Sequence, residues 1–149
     1  MTTIQTENTE RAREQAGVQL ASIEELVNAL AHTQEVEETS TCTADCPDGT
    51  AHDPEEAREA ILGDPLSVEV GGEWHTPGAI DACAPCEYKI LLCWGGPAVQ
   101  ITGTLDKHNQ PNSARLQYQE WFTEWIDYPL THGTEETLIK YAREFSFDL

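Results

Sequence analysis

The apolar residues of this 149-residue chain change period partway along, and that change restricts the fold more than any other feature. Ile23, Leu26, Val27 and Leu30 recur at i, i+3, i+4 and i+7, the single stripe of an amphipathic helix. From Leu66 onward the period falls to two. Leu66, Val68 and Val70 share one side of "LSVEV", and Tyr88, Ile90, Leu92 and Trp94 share one side of "EYKILLCW". In "AVQITGTL", Val99, Ile101 and Leu105 alternate with Gln100, Thr102 and Thr104; in "ARLQYQEW", Leu116 and Tyr118 alternate with Arg115, Gln117 and Gln119. The turn sequences "GGP" and "DKHNQPNS" separate the later runs. Short alternating runs joined by turns predict a four-stranded antiparallel meander with one apolar and one polar face.

Helices flank this block. Residues 1–10 read as a disordered tail, and residues 11–34 as helix in one or two parts, with Ser22 and Glu25 spaced as a capping box. "EVEETSTCTADCPDGTAH" has no period and reads as loop. "DPEEAREAILG" reads as a short helix with Asp53 as N-cap, Pro54 in the first turn and Gly63 at its end. "TEETLIKYAREF" closes the chain as a helix capped by Thr134, with Leu138, Ala142 and Phe145 on its apolar side. An apolar sheet face needs a cover, and the helices carry the matching stripes. The expectation is one α+β domain over residues 11–149, two-layered and ordered α-α-β-β-β-β-α. The polar sheet face, with Lys89, Gln100, Thr102, Arg115 and Gln117, is left to solvent or a partner.

Charge narrows function. The chain carries 27 acidic and 8 basic residues, a net charge of −19. The excess is spread along the whole length and is denser before residue 60. Such a chain repels nucleic acid and anionic membranes, because phosphate binding requires cationic side chains that release counterions. It favours a basic partner, unless the acidity serves solubility alone. The polar start shows no secretory signal and no apolar run approaches a membrane span, so a cytoplasmic protein is expected. Thiols stay reduced in that compartment.

Four of the five cysteines form two short-spaced pairs, Cys42 with Cys46 and Cys83 with Cys86. Paired thiols on knuckle-like turns are the donor set of a structural zinc site, so one structural zinc ion is expected. Unligated thiols and disulfides are the alternatives. Thioredoxin-like chemistry requires a Cys-x-x-Cys that opens a helix, whereas "DACAPCEYKILL" leads into a strand beside acidic Asp81 and Glu87. Cys93 reads as a packed small residue. No recognisable nucleophile frame surrounds Cys93, His75 or His108, "GGPAVQ" lacks the lysine of a phosphate loop, and "DCPDGTAHDPEE" lacks the calcium-loop ligand order. No catalytic residue is assigned. The segment "YQEWFTEWIDYP" packs Trp121 and Trp125 among Glu120, Glu124 and Asp127. Aromatic anchors within an acidic rim suit a basic protein surface, although burial beneath the closing helix accounts for them equally well.

The order "DPLSVEVGGEWHTPG", "EYKILLCWGGPAVQITGTLD", "ARLQYQEWFTEWIDYPL" and "ETLIKYAREFSF" resembles a family of small, uncharacterised acidic proteins carried by bacterial phages, plasmids and integrative elements. The likeness spans roughly residues 56–146 and is most specific around Gly95-Gly96-Pro97. It implies an accessory protein of a mobile element, a setting that includes anti-CRISPR and anti-restriction proteins. The expectation is a non-enzymatic inhibitor in the bacterial cytoplasm. Its acidic surface would occupy the basic nucleic-acid-binding surface of a host complex, without contacting nucleic acid or membrane itself. Its candidate contacts are Glu35, Glu37, Glu38, Glu55, Glu56, Glu59, Glu120, Trp121, Glu124, Trp125 and Asp127. A zinc-stabilised interaction module with an unrelated partner is the alternative.

Overall fold

A computed structural model describes residues 3–39, 53–71, 86–120 and 123–147, with backbone alone at 3–6 and 35–39. The chain is α+β. Helix α1 (Thr3–Thr39) and helix α2 (Pro54–Leu62) precede strands β1 (Ser67–Gly71), β2 (Glu87–Cys93), β3 (Ala98–Thr104), β4 (Arg115–Gln119) and β5 (Ile126–Tyr128), and helix α3 (His132–Ala142) follows. The strands form one sheet in the order β1-β2-β3-β4-β5, each antiparallel to its neighbours.

Helix α1 is one unbroken element, which corrects three expectations. Residues 3–10 are helical rather than tail, residues 35–39 are helical rather than loop, and Ser22 lies inside the helix instead of capping one. Extending an existing helix is far easier than nucleating a new one, so α1 continues through weak helix formers such as Asn8 and Thr9. A buried stripe of Ala12, Ala16, Leu20, Ile23, Val27, Leu30 and Thr33 runs through Ser22, where a second part would have begun. Thr33 remains apolar in effect because its hydroxyl donates to the Leu30 carbonyl at 2.7 Å. The stripe packs on β3 and β4, and both other helices pack on α1. Small residues permit the close approach: a methyl group added at Gly17 would lie 3.2 Å from the Tyr128 hydroxyl oxygen.

The shorter helices end as their sequences dictate. Asp53 caps α2, its carboxylate accepting from the Glu55 N–H at 3.0 Å. In α3 the cap is Thr131, not Thr134. Thr134 is the third helical residue, and the two threonines bond reciprocally through side chain and backbone. The Tyr141 hydroxyl of α3 donates to Asp64, just after α2, at 2.7 Å, and Arg58 of α2 pairs with Glu144, just after α3, at 3.2 Å.

Cross-strand register explains the sheet's two faces. Val68, Ile90, Ile101, Leu116 and Tyr128 stand side by side across all five strands. Ile90, Ile101 and Leu116 are fully buried in the core shared with α1. Burying each aliphatic side chain contributes roughly 1.5–3 kcal/mol relative to exposure. One row further along, Gly103 faces Tyr88. A methyl group there would lie 2.6 Å from the Tyr88 ring and 2.1 Å from the Ser113 carbonyl oxygen. Glycine is therefore what lets the ring cross the strand and donate its hydroxyl to that carbonyl at 2.6 Å. Phe147 packs against the Tyr88 ring, with ring centroids 5.2 Å apart.

Two departures from strict alternation correct the expected sheet. Between Leu91 and Cys93 the register slips by one residue, so Leu92 and Cys93 together oppose Val99. This β-bulge re-aims everything after it, and Trp94, expected in the apolar row, is 65% exposed. Beyond Trp94 the chain reverses through Gly95, at φ 118°, and a cis Gly96–Pro97 peptide. The second departure is at Glu120. The Thr123 N–H donates to the Glu120 carbonyl at 3.1 Å, and the Thr123 hydroxyl accepts from the Glu120 N–H at 3.0 Å. Past this point the chain returns antiparallel to β4 as β5, which makes the sheet five-stranded rather than four-stranded.

Candidate functional site

The residues singled out from sequence fall in four places. Glu35, Glu37 and Glu38 occupy the C-terminal end of α1, whose last turn carries no basic residue. Glu55, Glu56 and Glu59 are exposed on α2, where the first two complement the helix dipole. Glu55 and Glu59 are four residues apart, about 6 Å along the axis, close to the ~6.8 Å of two nucleotide steps along one DNA strand.

The aromatic segment does not form one exposed cluster. Glu120 is 8% exposed and so cannot serve as a surface carboxylate. Glu124 is exposed and Trp125 half-buried. Asp127 is exposed but engaged, accepting from the Gln117 side-chain amide at 2.8 Å. Trp121 lies outside the described residues.

Of the thiols proposed as zinc ligands, Cys42, Cys46 and Cys83 also lie outside the described residues. Cys86 is half-buried where β2 begins, with its N–H bonded to the Gly71 carbonyl at 2.8 Å and its own carbonyl accepting from Leu105 at 2.8 Å. That fixes the backbone of one candidate ligand. Among the described residues no group of three or more His, Cys, Asp or Glu side chains gathers as a metal site. Cys93 lies at the opposite end of β2, and partial burial pushes its thiol above the ordinary range. His108 belongs to the β3–β4 turn, at the far end of the sheet from Cys93. Those two therefore form no nucleophile–base pair.

The outer face of the sheet holds what sequence reasoning left unassigned. Gln100, on the central strand, is 4% exposed despite its place in the polar register. Its side-chain amide donates to the Gln117 carbonyl oxygen at 2.9 Å, and Gln117 donates onward to Asp127, making a ladder across three strands. Farther along, Glu69, Lys89, Thr102 and Arg115 form one row across four strands, and Glu87 pairs with Thr104 in the next. These residues line a cleft of about 390 Å³. The chain-level signal was the repeated placement of polar residues between core positions, which shows a face but not its concavity.

Among the described residues, ion pairing uses little of the acidity: Arg58 with Glu55 and Glu144, and His132 with Glu136. No described helix is long and apolar enough to cross a membrane. No family model, curated protein or solved structure matches this chain.

Proposed function

We propose that this protein is a non-enzymatic inhibitor of anti-CRISPR or anti-restriction type, acting in the bacterial cytoplasm. Its carboxylates would occupy the basic nucleic-acid-binding surface of a host defence complex. One observation carries the reading: a net charge of −19, little of it ion-paired among the described residues, with Glu55, Glu56 and Glu59 exposed along one helix. Outward carboxylates at near-phosphate spacing attract a Lys/Arg-lined channel and speed encounter with it. Glu35, Glu37 and Glu38, at the end of α1, add to the same charge. Within this reading Cys42, Cys46, Cys83 and Cys86 hold one structural zinc ion. Zinc analysis of protein purified without chelator should then find about one equivalent, and less than half an equivalent would remove the ion from the proposal.

The functional test is binding of the purified chain to the nucleic-acid-handling defence complexes of a bacterial host. Binding is expected to compete with the complex's own nucleic acid and to weaken at least about tenfold between 50 and 200 mM salt. Replacing Glu55, Glu56 and Glu59 together by Gln should weaken it further. Absence of salt-sensitive binding to any such complex would sink the proposal.

A further inference from the structure

We infer that the cleft on the outer sheet face is a binding site for a small zwitterion of amino-acid type. The inference does not rest on the inhibitory role above, because it concerns a different surface and a ligand of different charge. In a chain with 8 basic residues, Lys89 and Arg115 are placed in one cross-strand row with only Thr102 between them. Two strand spacings put their backbones about 10 Å apart. Both side chains are long enough to converge on a group seated over the Thr102 hydroxyl. Neither cation has a salt bridge among the described residues. That holds even for Lys89, although Glu69 stands directly opposite it across β1 and β2. Cations serving only to neutralise their sheet neighbours would close that pair.

The cleft's composition selects among anions. A guanidinium fork, an ammonium and a hydroxyl together match the two oxygens of a carboxylate. Glu69 and Glu87 share the outer face and line the same cleft. They repel a dianionic phosphate more than a monoanionic carboxylate, and they offer acceptors to an adjacent ammonium group. A ligand carrying both charges on neighbouring atoms satisfies both halves of the site. The volume of about 390 Å³ lies within the range of small-molecule pockets and leaves room for a side chain.

Amide resonances of the full chain, followed during titration at constant ionic strength, test this. The probes are L-alanine, sodium acetate, methylammonium chloride and inorganic phosphate. L-Alanine should shift the amides of Lys89, Thr102 and Arg115 and bind several-fold tighter than acetate or methylammonium. R115A and K89A, both at exposed positions, should each weaken alanine binding at least about tenfold while the core resonances stay in place. E87Q should weaken alanine but not acetate. Equal binding of acetate and alanine, tighter binding of phosphate, or no shift at these three amides up to about 10 mM alanine would each overturn the inference.

Discussion

The two faces of this sheet are made by the same strands and differ in almost everything else. The inner face presents Val68, Ile90, Ile101 and Leu116 in one apolar row closed by α1. The outer face presents amides, hydroxyls and opposite charges, tied to one another by the ladder from Gln100 through Gln117 to Asp127. Adjacent residues of β3 thus live in unlike environments: Ile101 is fully buried, while Thr102 lines an open cleft. Close packing leaves the inner face no freedom, because each side chain has only one volume that fits. The outer face is constrained mainly by hydrogen bonding, so it can carry a site without endangering the fold.

Substitutions on either side of β3 measure that contrast. Ile101→Ala should cost about 2–5 kcal/mol of unfolding free energy in urea titration, combining lost burial with a cavity. A cost below about 1 kcal/mol would mean that the inner row is not close-packed. Gly103→Ala comes next, at roughly 1–3 kcal/mol from overpacking against the Ser113 carbonyl and the Tyr88 ring. A neutral outcome there would show that the β3–β4 connection moves freely aside. At the small end, Thr102→Ala should stay within about 0.5 kcal/mol. A large loss would erase the distinction between the faces.

Alkaline titration probes the core by another route. Burial, the largest cause for both, raises the phenols of Tyr88 and Tyr141 above their ordinary 10.0, and for Tyr141 the hydrogen bond to Asp64 adds to it. The folded protein therefore holds these protons more tightly than the unfolded chain does. The stability this contributes is complete below pH 10 and is lost as pH climbs through the raised folded-state values. Circular dichroism should show cooperative unfolding in alkali, with tyrosinate absorbance appearing in the same step. Tyr141→Phe should lower stability near neutrality by about 0.5–1.5 kcal/mol, through the lost bond to Asp64, and make the alkaline loss less steep. An alkaline transition unchanged in the Tyr88→Phe/Tyr141→Phe double variant would contradict this account.

Sequence periodicity made the α1 stripe, the α2 caps and strands β1 to β4 readable, because burial on one face leaves a regular imprint. It failed where a local event resets the phase. One extra residue in β2 turns Trp94 out, and the Glu120–Thr123 turn hides a three-residue strand that is too short to show a period. The N-terminal turns of α1 were missed for a different reason: residues 3–10 are a mostly polar run of Thr, Gln, Glu and Asn with no regular apolar stripe, which suits a helix and a tail alike. The candidate site was legible only as residue types. That Lys89, Thr102 and Arg115 share a row depends on register, which alternation within single strands does not determine.

The strand order β1-β2-β3-β4-β5 has a consequence for how the chain is made. Each strand finds a partner in the next one synthesised, whereas α1 packs on β3, β4 and α3. While the polypeptide is emerging from a ribosome, α2 is the one described element on which the stripe from Ala12 to Thr33 packs before β3 and β4 exist. The first helix made is among the last to find its full set of neighbours. During that interval its apolar side is what a chaperone, or another nascent chain, would meet first.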